Sequence, residues 1–307
     1  MNAIEVKNLT KKFGEFISVN NVSFTVKEGT IFGFLGANGA GKTTTIRMMC
    51  GLLEPTSGDA IVSGYSVTKD TENVKKNIGY MSQKFSLYDD LTISENIDFF
   101  AGVYGLRGNV LNERKKWAIS ISNLAGKENI LTGSLPAGIK QRLALSVSVL
   151  HNPKVLFLDE PTSGVDPISR RAFWELISNL SAEGTTVLVT THYLEEAEFC
   201  SNIILMDAGK IVAEGNPKQL KETYIPYPVY EITSKSTDDI FKVLLDFEGK
   251  INLSFFGNSI HITTEKNVTG KVIKQFLVQN NFAEKSLTID SISPSLEDVF
   301  IKIVEKK

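Results

Sequence analysis

The stretch Gly36-Ala37-Asn38-Gly39-Ala40-Gly41-Lys42-Thr43 narrows most sharply what this chain can fold into. It spells G-x-x-x-x-G-K followed by Ser or Thr, and it lies between an apolar run, Ile31 to Leu35, and a helical pattern. Such a loop brings successive backbone N–H groups up to phosphate oxygens, which requires glycines because side chains would stand in the way. The helix that follows aims its positive end at the same anion. Lys42 is then placed to reach β- and γ-phosphates, and the Thr43 hydroxyl to take one position on Mg2+. A strand must precede the loop and a helix must follow it, so the motif predicts an α/β fold.

The surrounding pattern agrees. Strands are expected at Ile4 to Leu9, Ile17 to Val26, Ile31 to Leu35, Ala60 to Val62, Ile78 to Met81, Val155 to Asp159, Thr185 to Thr190, Asn202 to Met206 and Lys210 to Ala213, in a sheet covered by helices. The unbroken apolar runs near 155 and 186 read as central parallel strands. Residues 92 to 151 read as helices, which predicts a helical subdomain over about 84–151 inserted between sheet elements. Two prolines in Tyr224-Ile225-Pro226-Tyr227-Pro228 interrupt any helix and predict a boundary, with domains over 1–222 and 223–307. Beyond it the order is strand 229–233, helix 237–246, strands 251–255 and 259–263, helix 267–279, strand 286–292 and a last helix. That helix opens with a capping box, Ser295 to Asp298, and repeats Leu296, Val299, Phe300, Ile303 and Val304 at helical spacing. The βαββαβ order predicts a small α+β ferredoxin-like module with one extra helix.

Charge and cysteine content exclude several partners. With 33 basic and 35 acidic side chains the formal charge is −2, without the basic excess of a nucleic-acid binder. Two distant cysteines, Cys50 and Cys200, fit a reducing compartment. The opening residues lack the features of a secretory signal, and no apolar run approaches the ~20 residues that span a bilayer. Any work at a membrane would need another chain to supply the spans.

Val155-Leu156-Phe157-Leu158-Asp159-Glu160 is an apolar strand ending in two carboxylates. Adjacent side chains at a strand end point in different directions and can divide roles. Asp159 is expected to hold Mg2+ through its water shell, and Glu160 to polarise the water that attacks the γ-phosphate. Gln83 follows the strand 78–81, and His192 ends the apolar strand after the carboxylates. Between them stand Leu135-Pro136-Ala137-Gly138-Ile139-Lys140-Gln141-Arg142-Leu143 and Pro161-Thr162-Ser163-Gly164-Val165-Asp166-Pro167. In order and spacing these six segments resemble the ATP-binding subunits of ABC transporters, over residues 1 to about 220.

The resemblance implies a P-loop NTPase of ABC type that binds ATP and Mg2+ and hydrolyses ATP. It implies a nucleotide-binding set of Gly36, Asn38, Gly39, Gly41, Lys42, Thr43 and Thr44, with Phe13 stacking on adenine. Mg2+ would be held by Thr43, Gln83 and Asp159, and the catalytic group would be Glu160, His192 and Gln83. Two such subunits, identical or different, would meet head to tail, with Gly138 reaching the partner's nucleotide and Ser163 to Asp166 facing the partner. An integral membrane permease would be driven by the dimer, keeping this subunit cytoplasmic and peripheral on the membrane. Asp166 followed by Pro167 also reads as an N-cap and first helical residue.

One departure stands out. Where the family has Leu-Ser-Gly-Gly-Gln, this chain has Leu135-Pro136-Ala137-Gly138-Ile139, which loses the serine hydroxyl and a backbone donor. Proline suits the first turn of a helix, so the expectation is a weakened contact across the dimer. The same variant, with the run from Asp159 to Trp174 and Ser295 to Phe300, resembles the drug-exporter branch whose ATPase is separate from its permease. Two other readings remain: a soluble ABC-type ATPase with a regulatory role, and a nucleotide-dependent docking subunit with little hydrolysis.

Overall fold

A computed structural model describes residues 1–83 and 87–304. The start of the insert expected near residue 84 falls outside the described residues, as do the side chain of Val304 and residues 305–307. The chain divides into two units, Met1–Pro217 and Lys218–Lys307.

The first unit opens with a hairpin, β1 (Asn2–Phe13) and β2 (Phe16–Lys27), joined by Gly14 and Glu15. Strand β3 (Ile31–Leu35) then runs through the glycine loop into α1 (Lys42–Met49). Strands β4 (Ser57–Val62) and β5 (Tyr65–Ser66) follow, and α2 (Thr71–Asn77) leads to β6 (Ile78–Met81). Helices α3 (Ile93–Val103), α4 (Gly108–Ile121) and α5 (Ala137–Ser148) come before β7 (Val155–Asp159). After it come α6 (Pro167–Ala182), β8 (Thr186–Thr191), the one-turn α7 (Leu194–Ala197), β9 (Asn202–Asp207) and β10 (Lys210–Gly215). The division between units falls at the start of α8 (Pro217–Tyr224), a few residues before the boundary expected at 222/223.

Where the sequence predicts one sheet, the structure has two in this unit. The larger has the order β10-β9-β3-β8-β7-β6 and is parallel except for β10, which runs antiparallel to β9. The smaller, β2-β1-β4-β5, is antiparallel throughout. The reason is connection length. A two-residue link allows only antiparallel pairing, so β1 and β2 pair with each other, whereas parallel neighbours need long crossovers. Phe24 of β2 packs edge-on against Phe34 of β3, with ring centroids 5.1 Å apart, within a core drawn from both sheets.

Every residue of β3, β7 and β8 is buried, as central parallel strands require. The helical insert leaves the sheet at β6 and returns at β7, its parallel neighbour, with Ile78 opposite Val155. Thr92 and Glu95 form a capping box that starts α3. Arg114 on α4 donates to the carbonyls of Val149 and Leu150, each at 2.7 Å, and so satisfies acceptors at the end of α5.

The second unit contains β11 (Val229–Thr233), α9 (Thr237–Leu244), β12 (Lys250–Phe256), β13 (Ser259–Thr264), α10 (Gly270–Gln279), β14 (Thr288–Ile292) and α11 (Leu296–Val304). Its antiparallel sheet has the order β12-β13-β11-β14. Ile232, Ile260 and Ile262 of the sheet meet Ile240 and Leu244 of α9 and Ile273 and Leu277 of α10 in one core. The expected capping box is present at α11: Asp298 N donates to Ser295 Oγ at 3.1 Å, and Ser295 N donates to Asp298 Oδ2 at 2.7 Å.

Candidate functional site

In a parallel sheet flanked by helices, ligands bind at the carboxyl ends of the strands. Here β3 ends in the glycine loop, β8 in Thr191 before His192, β7 in Asp159 before Glu160, and β6 in Met81 shortly before Gln83. Because β3, β8, β7 and β6 are consecutive in the sheet, all four groups gather along one edge.

The loop's glycines are demanded by close approach. Gly41 has φ +103°, and a Cβ there would lie 2.6 Å from the Ser18 carbonyl oxygen; one at Gly36 would lie 2.3 Å from that of Met206. The loop is thus pressed against β2 and β9 on one side and leaves its other side open. A cavity of about 300 Å3 opens there, lined by Phe16, Ser18, Asn38, Gly39, Ala40, Gly41, Lys42, Thr43, Thr44, Gln83 and Glu160. Thr44 Oγ1 and Ser18 Oγ are hydrogen-bonded at 2.9 Å, which ties α1 to β2.

Lys42 is only 4% exposed. Its Nζ donates to the carbonyls of Gly36 (2.8 Å) and Ala37 (3.1 Å) and lies 3.5 Å from Glu160 Oε1. This buried ammonium is hydrogen-bonded to two neutral carbonyls of its own loop and ion-paired with one carboxylate, an arrangement that a polyanion can displace.

The two carboxylates divide as expected from the strand end. Asp159 Oδ1 accepts from Thr43 Oγ1 at 2.9 Å and from Thr190 Oγ1 at 2.8 Å. Burial pushes its pKa up, and these two hydrogen bonds offset the shift only in part. Glu160 turns the other way. Its Oε2 accepts from Gln83 Nε2 at 3.1 Å and faces His192 Nδ1 at 3.3 Å, while Oε1 faces Lys42. The Glu160 backbone has φ +47°, uncommon for a residue with a side chain, and its N–H donates to Thr190 Oγ1 at 2.9 Å. Thr190 therefore sets the directions of both acids, a role the sequence reading missed although Thr190 precedes the His192 it did identify.

Two predicted residues lie outside this cluster. Phe13 does not line the cavity; it lies beneath Lys11 Nζ, 5.3 Å from the ring centroid, and among the described residues the aromatic that lines the cavity is Phe16. The two are paired across the β1–β2 turn, and nothing local to the sequence says which of them the cavity meets. Gly138 is buried in the first turn of α5, where a Cβ would come within 2.5 Å of Ser169 on α6, so packing inside this chain already demands glycine there. Pro136 stands one position before the first turn where it was expected: it is the N-cap of α5, and its carbonyl accepts from the N–H groups of Ile139 and Lys140 at 3.0 Å. Asp166 caps α6 as predicted, accepting from Ile168 N and Ser169 N, with Pro167 as the first helical residue.

A glycine phosphate loop and lysine facing acids at the ends of neighbouring parallel strands defines a P-loop nucleotide-binding protein. The comparisons with known proteins go one step further. The family model described as ABC transporter matches residues 19–163, and a model of an AAA domain matches residues 133–196. The Nod factor export ATP-binding protein I of Rhizobium sp. (strain N33) is 32% identical over 306 residues, covering 99% of this chain and 98% of that protein. The "Probable multidrug ABC transporter ATP-binding protein YbhF" of Escherichia coli (strain K12) is 52% identical over 218 residues. That match covers 71% of this chain but 38% of YbhF, so the chain spans well under half of that relative's length. Among solved structures, an ATP-binding subunit of an ABC transporter superposes with a TM-score of 0.66 at 28% identity, covering 72% of this chain and 93% of that one. A dimeric bacterial ABC transporter cassette superposes with a TM-score of 0.63 at 28% identity, covering 69% of this chain and 98% of that one. This chain belongs to the ATP-binding proteins of ABC transporters.

Proposed function

We propose that this chain binds and hydrolyses ATP as the motor subunit of an exporter, working as a dimer on a separate membrane permease. The observation that carries the reading is Glu160, a carboxylate at the cavity wall set among Lys42, Gln83 and His192. In this reading the loop amides from Asn38 to Thr44 and the Lys42 ammonium bind the phosphates. Phe16 beside the loop, with Phe13 across the turn, offers the base an apolar face. Glu160 orients water and accepts its proton, Gln83 and His192 hold that carboxylate in place, and His192 donates toward the phosphate.

Mg2+ fits the residues present. Among the described residues no group of three or more His, Cys, Asp or Glu side chains could hold a metal alone. The Thr43 hydroxyl and Asp159 carboxylate, with Gln83 nearby, instead supply the few oxygen ligands Mg2+ takes when phosphates and water complete its shell. Bound there, the ion would neutralise phosphate charge. Asp159, whose charge burial disfavours, would gain a compensating cation.

The exporter assignment draws on the names of the two relatives and on the Leu135–Leu143 segment. Membership of the family supports the permease, the dimer and the position at the cytoplasmic membrane face. Among the described residues no helix is long and apolar enough to cross a membrane, which suits a subunit held there by another chain. We read the second unit as a ferredoxin-like module, on its βαββαβ order and strand order β12-β13-β11-β14.

The decisive measurement is ATP turnover of Glu160→Gln, with dimer mass followed in ATP and Mg2+. We expect turnover to fall by about 100-fold or more, with an ATP-bound dimer accumulating. Persistent turnover would reject the role of Glu160. Pro136→Ser should raise turnover by about tenfold or more for one regained hydrogen bond to a charged group; a rate unchanged or reduced would remove Pro136 as the limiting feature.

A further inference from the structure

Among the described residues of the first unit, one buried acid takes no part in the chemistry above. Glu196, on the one-turn helix α7, is 1% exposed. Its Oε2 accepts from Thr191 Oγ1 at 2.6 Å and its Oε1 from Thr162 Oγ1 at 2.5 Å, while Arg170 Nε of α6 lies 3.5 Å from Oε1. One carboxylate thus joins the end of β8 to the segment that follows Glu160. The links continue to His192 from both sides. Thr191 precedes it, and Thr191 Oγ1 also accepts from Tyr193 N at 2.9 Å. The Tyr193 ring packs on the His192 imidazole at 4.1 Å, and the Arg170 guanidinium covers that same tyrosine ring at 4.1 Å. The polar arms of Glu196 therefore end on Thr191 beside His192, on Thr162, and on Arg170, which itself donates to the Val165 carbonyl (3.3 Å).

We propose that Glu196 is a positioning residue that holds His192 against Glu160 by clamping the Thr191 and Thr162 hydroxyls. The inference rests on the ATPase reading above. A second anchor is needed because the His192 side chain is 33% exposed and its ring meets the buried Glu160 carboxylate through one nitrogen, Nδ1 at 3.3 Å. A misplacement of about 1 Å in such a group can cost on the order of 100-fold in rate. Glu196→Gln replaces one oxygen that accepts from a threonine hydroxyl with an amide donor, which leaves that hydroxyl proton without its acceptor and removes the charge facing Arg170, with little change in volume.

The test is a cycle on the full chain: kcat and KM for ATP in Glu196→Gln, His192→Ala and the double variant. The expected result is a loss in kcat of about tenfold or more in Glu196→Gln with KM unchanged, and a double variant no slower than His192→Ala. Additive losses, or a rise in KM that accounts for the loss, would overturn the inference. If Glu196→Gln does not fold, Thr191→Val should show the same kcat loss and Thr191→Ser should retain the rate; full activity in Thr191→Val also overturns it. A readout independent of turnover comes from the imidazole NMR chemical shifts, since the chain has three histidines. Glu196→Gln should move the ring resonances of His192, which faces Glu160 and Tyr193, and leave those of His151 and His261 in place. Unmoved His192 resonances sink the inference, whereas absence of ATP turnover in the wild-type chain with those resonances moved sinks only the ATPase reading.

Discussion

Asp159 in the first unit and Asp298 in the second are both buried aspartates, 1% and 4% exposed, and their environments push them in opposite directions. Burial raises the pKa of Asp159, and hydroxyls from Thr190 and Thr43 offset it incompletely. Burial acts the same way on Asp298, but there it is outweighed. His261 Nδ1 at 3.1 Å, with the N–H and hydroxyl of Ser295 at 2.7 and 2.8 Å, holds its carboxyl below the usual range. The second acid is complete as it stands and fastens α11 to β13. The first is left short of positive charge beside an open cavity. A buried acid with its donors in place marks structure, whereas one awaiting a cation marks a binding site.

The widest test of that contrast is Lys42→Ala, which should weaken ATP binding by about 1.5–3 kcal/mol, roughly 10- to 150-fold, without unfolding the chain. Titration calorimetry measures it, and unchanged affinity would mean the cavity is not the nucleotide site. Asp298→Ala should leave ATP affinity intact but destabilise the second unit by about 2 kcal/mol, seen as faster amide exchange in α11. Because the folded pKa of Asp298 lies below its unfolded value, its contribution is present above the ordinary aspartate range. That contribution is lost as pH falls through the folded pKa. A variant whose acid sensitivity matched wild type would remove Asp298 from this account.

A smaller effect is expected at the turn between β1 and β2. Phe16→Ala should cost about 1 kcal/mol in ATP affinity and Phe13→Ala less, since only Phe16 lines the cavity. The reverse order would restore Phe13 as the base-stacking residue. Smallest is the nucleotide-free stability of Asp159→Asn. An acid whose folded pKa exceeds its unfolded one costs stability as pH rises from the unfolded value through the folded one, so removing its charge should raise the melting temperature slightly at neutral pH. The same variant should lose the extra stabilisation that Mg2+ adds to ATP. A lower melting temperature without ligand would show that Asp159 is satisfied like Asp298, and the contrast would fail.

The amino-acid order alone determined what is decided within a few residues. The loop from Gly36 to Thr43, the strand ending in Asp159 and Glu160, the proline-led start of α6 and the capping box of α11 are each spelled by a few consecutive residues, so their residue types declare them. Only the tertiary structure decided how distant segments meet. It split the first unit's strands into two sheets, turned Phe16 rather than Phe13 to the cavity, and gave Gly138 a packing partner in Ser169. It also separated two adjacent glutamates, leaving Glu195 exposed while Glu196 is buried among Thr162, Thr191 and Arg170. Pairing across a sheet and burial of a charge depend on groups far apart along the chain, and no local propensity encodes which of them will face one another.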